Sequence, residues 1–248
     1  MILPRWLCIA GVMLCVGCGP TLEEQRQRSE ANYKIGEAEM RSGNYSEAIK
    51  SLQEAQKYNP NDAKIYNALG LIYIQYQQYD KSISMFEKAL RLNPNLPDAH
   101  NSLGTVYARL QQWDQAISEF KKALSDPSYP TPALAHYNLG LALMEKGDHI
   151  NAVKEFHAAV EISPTFSQAL DKYGIALYRM NRNQEAIKRF KQAIEVSPDF
   201  IDPYVNLGLV YMKQGKRDDA VAQFKSVLER SSDEKIRSEV ERYLEMLE

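Results

Sequence analysis

The stretch AKIYNALGLIYIQYQQYDKSISMFEKALRLNPNL, at Ala63–Leu96, decides the fold. Apolar and small residues recur in it at helical spacing, at Tyr66, Leu69, Gly70 and Tyr73 in the first half and at Ser82, Phe86 and Ala89 in the second. Pro94 follows the second group, and proline cannot continue a helix. The stretch therefore predicts two antiparallel amphipathic helices closed by a proline turn.

The same pattern recurs along most of the chain, and glycines mark its period. They stand at Gly36, Gly70, Gly104, Gly140, Gly174 and Gly208, which lie 34, 34, 36, 34 and 34 residues apart. A glycine in the middle of a helix costs roughly 1 kcal/mol relative to alanine, so its recurrence at one spacing needs a structural reason. The pattern predicts that the missing side chain lets the second helix of each pair cross close by.

Each second helix carries two small residues with a larger one between them. The first small residues are Ala48, Ser82, Ala116, Ala152, Ala186 and Ala220, and the second are Ala55, Ala89, Ala123, Ala159, Ala193 and Val227. The larger residues are Leu52, Phe86, Phe120, Phe156, Phe190 and Phe224. When small residues on one helix pack against a large side chain on its partner, the pair reaches the packing density of native protein interiors. The helices are predicted to end at Pro60, Pro94, Pro164 and Pro198.

This pattern resembles the tetratricopeptide repeat. The resemblance implies an all-α fold, a right-handed superhelix or solenoid of six repeats with a concave and a convex side. The predicted units are 29–62, 63–96, 97–132, 133–166, 167–200 and 201–232. Residues 233–248 are predicted to form a capping helix, whose apolar side would hold Ile236, Val240, Tyr243, Leu244 and Leu247.

The N-terminus has the features of a secretory signal. One positive charge precedes Trp6–Val16, an apolar run that is too short to span a bilayer. The run ends at Cys18 after a small residue, which resembles the bacterial lipobox, although Cys15 stands where that pattern prefers leucine. The resemblance implies that residues 1–17 are removed and that Cys18 receives a covalent lipid. An ordinary signal peptide with an incidental Cys18, or a retained anchor, are the alternatives.

The residues after Cys18 predict a short connection to the first helix. Gly19 stands where an aspartate would resemble the inner-membrane retention signal, so the resemblance implies a lipid anchor in the outer membrane, facing the periplasm. Residues 18–28 would form the lipidated N-terminus and tether. Thr21 and Glu24 have the spacing of a capping box, which predicts a helix starting near Leu22.

Composition argues against several classes of function. The formal net charge is −2, without the basic excess expected of a nucleic-acid-binding protein. All three cysteines lie in the first eighteen residues, so the body has neither a disulfide framework nor a cysteine metal site. No HExxH, GxSxG or Walker sequence occurs. We therefore expect no catalytic residue, no metal, no cofactor beyond the lipid on Cys18 and no small-molecule substrate.

In the repeat that this chain resembles, positions 2, 5, 9 and 12 of each first helix line the concave side. At positions 9 and 12, four of the six units are apolar in both places. Two interpretations stay open, packing against neighbouring first helices or an apolar groove for a partner segment. The predicted partner-binding residues are Asn67, Leu71, Ile74, Asn101, Tyr137, Leu141, Met144, Ile175, Tyr178, Leu209 and Met212.

The segment DPSYPTPALAHYNLG indicates a more specific resemblance than the repeats alone. Asp126, Pro127, Tyr129, Pro130, Thr131 and Pro132 match a segment between the third and fourth repeats of the type IV pilus biogenesis lipoproteins called pilotins. Its three prolines predict a stiff, extended loop. The resemblance implies a lipid-anchored periplasmic adaptor that binds an outer-membrane secretin subunit and promotes its localisation or assembly. The alternative is a general protein–protein interaction scaffold of the cell envelope.

Overall fold

The computed structural model describes residues 20–248, so Cys18 and the predicted signal peptide lie outside the described residues. The described part contains thirteen α-helices and no strand, which confirms the predicted all-α class. The helices are α1 Leu22–Arg41, α2 Tyr45–Tyr58, α3 Ala63–Gln75, α4 Tyr79–Leu92, α5 Pro97–Arg109, α6 Trp113–Leu124, α7 Pro132–Glu145, α8 His149–Ile162, α9 Ser167–Arg179, α10 Asn183–Val196, α11 Asp202–Lys213, α12 Arg217–Arg230 and α13 Glu234–Glu245. One compact unit ends at Ile65, and a second runs from Tyr66 to Glu248.

In the first compact unit, α1 and α2 pack against each other. The predicted capping box is confirmed, because the Glu24 amide donates to Thr21 Oγ1 at 3.2 Å and the Thr21 amide donates to Glu24 Oε2 at 2.8 Å. Helix α1 therefore begins at Leu22. Ser29 Oγ donates to the Ala55 carbonyl oxygen at 3.0 Å and ties the two helices together.

In the second compact unit, helices pair as hairpins and each hairpin packs against the next. The pairs α5/α6, α7/α8, α9/α10 and α11/α12 make the closest contacts, and α4/α5, α6/α7, α8/α9 and α10/α11 join successive pairs. At the start of the unit, Ser82 Oγ donates to the Gly70 carbonyl oxygen at 2.8 Å and links α4 to α3. A buried core therefore continues from one hairpin to its neighbour.

The predicted interlock of glycine against a large side chain is confirmed. A Cβ atom built on Gly140 would lie 2.7 Å from Cε1 and 2.8 Å from Cδ1 of Phe156, closer than carbon atoms pack. Phe156 is fully buried, as are the flanking residues Ala152 and Ala159. Equivalent clashes would occur at Gly36, Gly70, Gly104, Gly174 and Gly208.

The prolines end the second helices as predicted. Helices α2, α4, α8 and α10 stop two residues before Pro60, Pro94, Pro164 and Pro198. The residue before each proline has ψ between 83° and 96°, outside the helical region. Steric contact with the proline ring disfavours helical geometry at that residue.

The loop before α7 differs from its prediction. It is not extended, because Asp126 closes a turn in which its Oδ1 accepts from the Ser128 amide at 2.8 Å and its carbonyl oxygen accepts from the Tyr129 amide at 3.1 Å. The turn places Tyr129 against Ala123 and Ala135, where it is only 5% exposed. A buried aromatic ring thus anchors the segment.

The C-terminal helix covers the last hairpin as predicted. Val240 of α13 is fully buried, and the ring of Tyr243 stacks on Phe224 with 5.3 Å between centroids. The Arg237 guanidinium donates to the carbonyl oxygens of Leu228 and Ser231 at the end of α12. Charged residues occupy the outer side of α13.

The turns inside the hairpins need a left-handed residue. Gly147 fills this position in the fourth unit with φ of 80°, but Gln111 holds it in the third with φ of 58°. The same hydrogen bond closes both turns, from the Gln112 amide to the Tyr107 carbonyl oxygen at 2.8 Å and from the Asp148 amide to the Leu143 carbonyl oxygen at 2.9 Å. A side chain with a Cβ atom is strained in this conformation.

We expect Gly140→Ala to lower the free energy of unfolding by about 1–2 kcal/mol, because overpacking against Phe156 exceeds the gain of about 1 kcal/mol in helix propensity. Urea unfolding followed by circular dichroism measures it. In a Phe156→Ala background, the same Gly140→Ala change should become neutral or stabilising. An equal cost in both backgrounds would show that the ring contact is not the cause.

We expect Gln111→Gly to raise the free energy of unfolding by about 0.5–1 kcal/mol, because glycine relieves the left-handed strain. The reciprocal control, Gly147→Gln, should destabilise by a similar amount. Thermal unfolding of both variants beside the parent protein measures the two effects. Destabilisation by Gln111→Gly would contradict the assignment of strain.

Candidate functional site

The first helices of successive pairs lie side by side in the second compact unit. Helix α5 contacts α7, α7 contacts α9, and α9 contacts α11. Their shared surface, here called the first-helix face, carries positions 5, 9 and 12 of each unit. The predicted partner-binding residues from Asn101 to Met212 therefore lie along one run of adjacent helices, and Asn67, Leu71 and Ile74 lie on α3.

The predicted residues differ in how much surface they offer. Nine of them are half-buried, namely Asn67, Leu71, Asn101, Tyr137, Leu141, Ile175, Tyr178, Leu209 and Met212. Ile74 and Met144 are 7% and 6% exposed, so they support the surface from beneath and present almost no contact area. Leu134, which was not among the predicted residues, lies at position 2 of its unit and is 42% exposed. The face thus combines inter-helix packing with accessible apolar area.

Polar side chains join neighbouring first helices on this face. Asn138 Nδ2 lies 3.4 Å from Asn101 Oδ1, between α5 and α7. Asn206 Nδ2 donates to Asp171 Oδ1 at 2.7 Å, between α9 and α11. In each case position 5 of one unit meets position 6 of the next. These contacts set the spacing of the helices and leave amide groups on the face for further hydrogen bonds.

Asn67, at position 5 of α3, has no such contact. Its Oδ1 atom is buried and accepts no hydrogen bond from the residues that the structure describes. A buried acceptor without a donor destabilises the folded state. The Oδ1 atom has almost no accessible surface, so it is not an acceptor that a surface-bound segment can reach in this conformation.

Asp171 is a carboxylate buried beneath the first-helix face, with its side chain fully inaccessible. Burial raises the pKa of Asp171 above its ordinary value, although the Lys172 ammonium, 3.1 Å away, and the Asn206 amide oppose the shift. The raised pKa means that folding favours the protonated form. The group therefore contributes more stability at low pH and loses that contribution as the pH rises through its folded pKa.

A cavity of about 380 Å³ opens between the third and fourth helix pairs. Its lining is Thr105, Ala108, Arg109, Trp113, Phe120, Asn138, Leu141, Ala142 and Glu145. Only Leu141 of these was predicted to bind a partner. A signal was nevertheless present, because Thr105 and Ala108 are small where Leu141 and Met144 stand one unit later.

The two first-helix histidines have structural roles. His100 Nδ1 lies 2.6 Å from Glu119 Oε2, and His136 Nδ1 lies 2.7 Å from Glu155 Oε2. Burial raises the pKa of Glu119, but hydrogen bonds from His100 and Lys122 outweigh this and leave it below its ordinary value. Each histidine therefore binds a carboxylate on the second helix of its own pair.

No helix within residues 20–248 is both long and apolar enough to cross a bilayer.

Comparison with protein families places repeats along nearly the whole described chain. A family model described as "Tetratricopeptide repeat" matches residues 33–97, 75–131 and 101–165. Another with that description matches residues 201–234, and one described as "TPR repeat" matches residues 174–215. A comparison with curated proteins gave no sequence match.

Solved structures share the fold at low identity. A structure of PilF from Pseudomonas aeruginosa is 16% identical with a TM-score of 0.78, covering 88% of this chain and 99% of its own. PilW, described as a "widely conserved type IV pilus biogenesis factor", is 22% identical with a TM-score of 0.77, covering 86% of this chain and 98% of its own. YrrB, "a TPR protein with an unusual peptide-binding site", is 21% identical with a TM-score of 0.66, covering 78% and 99%.

We expect Asp171→Asn to become less destabilising, relative to the parent protein, as the pH rises from about 4 to 7. Burial holds the pKa of Asp171 above its ordinary value, so the parent protein acquires a buried charge, and loses stability, as the pH rises through that pKa, whereas the amide does not ionise. Urea unfolding at several pH values measures the difference, with the exposed Asp218→Asn as the matched control. A difference that grows in the opposite direction would contradict the raised pKa.

Proposed function

We propose that this chain, which belongs to the tetratricopeptide repeat family, is a lipid-anchored periplasmic adaptor. It binds an outer-membrane secretin subunit and promotes the localisation or assembly of that subunit for type IV pilus biogenesis. Proteins built from these repeats are typically protein-interaction scaffolds. The partner is a polypeptide, and the first-helix face is the surface that receives it.

The observation that carries the proposal is that this face presents accessible apolar side chains beside hydrogen-bonding amide groups. Half-buried apolar side chains such as Leu141 and Leu209 share the face with the amide groups of Asn101 and Asn138. Apolar area with a few placed hydrogen-bonding groups is what a peptide segment needs for affinity and register.

Two features support the pilus role in particular. PilF and PilW have the same fold over nearly the full length of their structures, and PilW is described as a type IV pilus biogenesis factor. The segment Asp126–Pro132, which carries the resemblance to the pilotins, is ordered by the buried Tyr129 ring. A motif held in this way keeps a defined shape at the surface.

The proposed anchor agrees with where the first helix starts. A lipid on Cys18 would be separated from Leu22, the first residue of α1, by only three residues. A lipid-modified N-terminal cysteine would carry several acyl chains, and several chains hold a protein at a membrane far more stably than one. The repeats would then remain close to the periplasmic face of the outer membrane.

A general cell-envelope scaffold is the second candidate. It is favoured by the likeness to YrrB, whose structure is described by its peptide-binding site and not by a pilus role. Affinity capture from solubilised membranes separates the two candidates, since only the first predicts a secretin as the main partner.

We expect Cys18→Ser to release the protein from the outer membrane and to reduce heat-stable secretin multimers, because the adaptor no longer reaches its site of action. Membrane fractionation and immunoblotting of unboiled samples measure both effects. Cys15→Ser is the matched control and should change neither. Normal secretin multimers in the Cys18→Ser strain, with the protein found in the soluble periplasm, would contradict the proposal.

A further inference from the structure

The cavity between the third and fourth helix pairs differs from the equivalent places on the first-helix face. Thr105 and Ala108 leave it open, whereas long side chains occupy the same two positions in the neighbouring units, Leu71 and Ile74 before it and Leu141 and Met144 after it. The chain therefore has one interruption in a row of bulky residues. An interruption of this kind allows a side chain from outside to complete the row.

The lining determines what kind of side chain fits. The floor contains the ring of Phe120, which is 1% exposed, together with the half-buried Trp113 and Leu141. A cavity of about 150 Å³ with an apolar lining is large enough to hold one benzene molecule. The volume of about 380 Å³ here accommodates an aromatic side chain. Two aromatic rings in the lining favour that choice, since aromatic pairs contribute about 0.5–1.5 kcal/mol beyond area burial.

The rim indicates that the aromatic side chain belongs to a polypeptide. Arg109 on α5 and Glu145 on α7 line the same cavity, yet neither forms an ion pair with any residue in the described range 20–248. Their opposite charges complement a segment with a carboxylate on one side of its aromatic residue and a cation on the other. The amide of Asn138, at the same rim, can bond to the backbone of such a segment.

Lys146 binds Asp114 beside this rim, so a salt bridge joins the C-terminal end of α7 to the start of α6. The two side chains of this contact are exposed, and it lies beside the cavity between the two helix pairs. A preformed pocket lowers the entropic cost of receiving a side chain.

We infer that this cavity is the specificity pocket of the first-helix face, which takes one aromatic side chain from an extended polypeptide partner. The inference rests on the proposed partner-binding function and adds the chemistry by which a segment is chosen. A few buried side chains, aromatic ones prominent among them, commonly carry most of the binding energy of an interface.

The test uses the full chain, extracted in detergent, with Trp6→Phe so that Trp113 is its one tryptophan. A random peptide library displayed on phage is the probe. Selected peptides should share one aromatic residue with charged neighbours, and they should shift the emission of Trp113. Replacing that aromatic residue by alanine should weaken binding at least tenfold, about the loss of one anchor residue. Peptides without a shared aromatic residue would overturn the inference.

A filled variant tests the cavity from the protein side. Thr105→Leu combined with Ala108→Met copies the residues of the fourth unit, and it should weaken binding of the selected peptides at least about tenfold while keeping the helical circular dichroism spectrum. Ala222→Met, on an exposed part of α12, is the matched control and should bind as the parent does. Unchanged affinity in the filled variant would overturn the inference.

Other occupants give distinct results. If the chain self-associates and the filled variant abolishes that association without affecting peptide binding, a second copy occupies the cavity and the inference is wrong. If the filled variant does not fold, the alanine substitution in the peptide and the Trp113 emission still decide. None of these readouts uses a secretin or the lipid on Cys18, so the inference and the proposed function can fail separately.

Discussion

The structure depends on the contact between a glycine on each first helix and a large side chain on its partner helix. In five pairs the large side chain is phenylalanine, and in the first it is Leu52. The ring of Phe156 occupies the space that a Cβ atom on Gly140 would need. This close crossing lets small residues on the same second helix reach full burial.

The repeated interlock has a consequence for where function can lie. The second helices use their inner positions for packing, and the third unit departs from its neighbours on the first-helix face. There the third unit has a threonine and an alanine where its neighbours have long apolar chains, and a cavity results. In a regular array of repeats, a unit that departs from the pattern therefore indicates a candidate functional position. The same reasoning applies to Asp171, a buried carboxylate among mostly neutral residues at its position.

Much of the fold was predictable because it depends on local rules. The glycine spacing predicted the helix pairs, and the prolines predicted where helices end. The capping-box spacing of Thr21 and Glu24 predicted the start of α1. The turn at Asp126 was not predictable from its prolines, because a side chain that accepts from the next amides overrides their preference for extended backbone. The burial of Met144 was also missed, since exposure depends on how closely adjacent hairpins approach, which no single unit encodes.

The sequence predicted which positions contribute to the candidate site, but it did not predict the shape of the surface that they form. Spacing identified Leu141, but a cavity is the space left by several side chains from different helices, including Trp113 at the start of α6. The proposed partner and the proposed anchor involve Cys18, which lies outside the described residues, and other molecules.

The C-terminal helix has a consequence for the assembly state of the protein. A stack of like hairpins exposes at its end the same kind of apolar surface that each hairpin offers to the next, and a head-to-tail contact of that kind propagates without closure. Helix α13 covers this surface with Val240 and Tyr243, while Arg237 occupies the terminal carbonyl oxygens of α12. Charged residues then face outward. The surface that another hairpin would use for head-to-tail stacking is therefore occupied by α13.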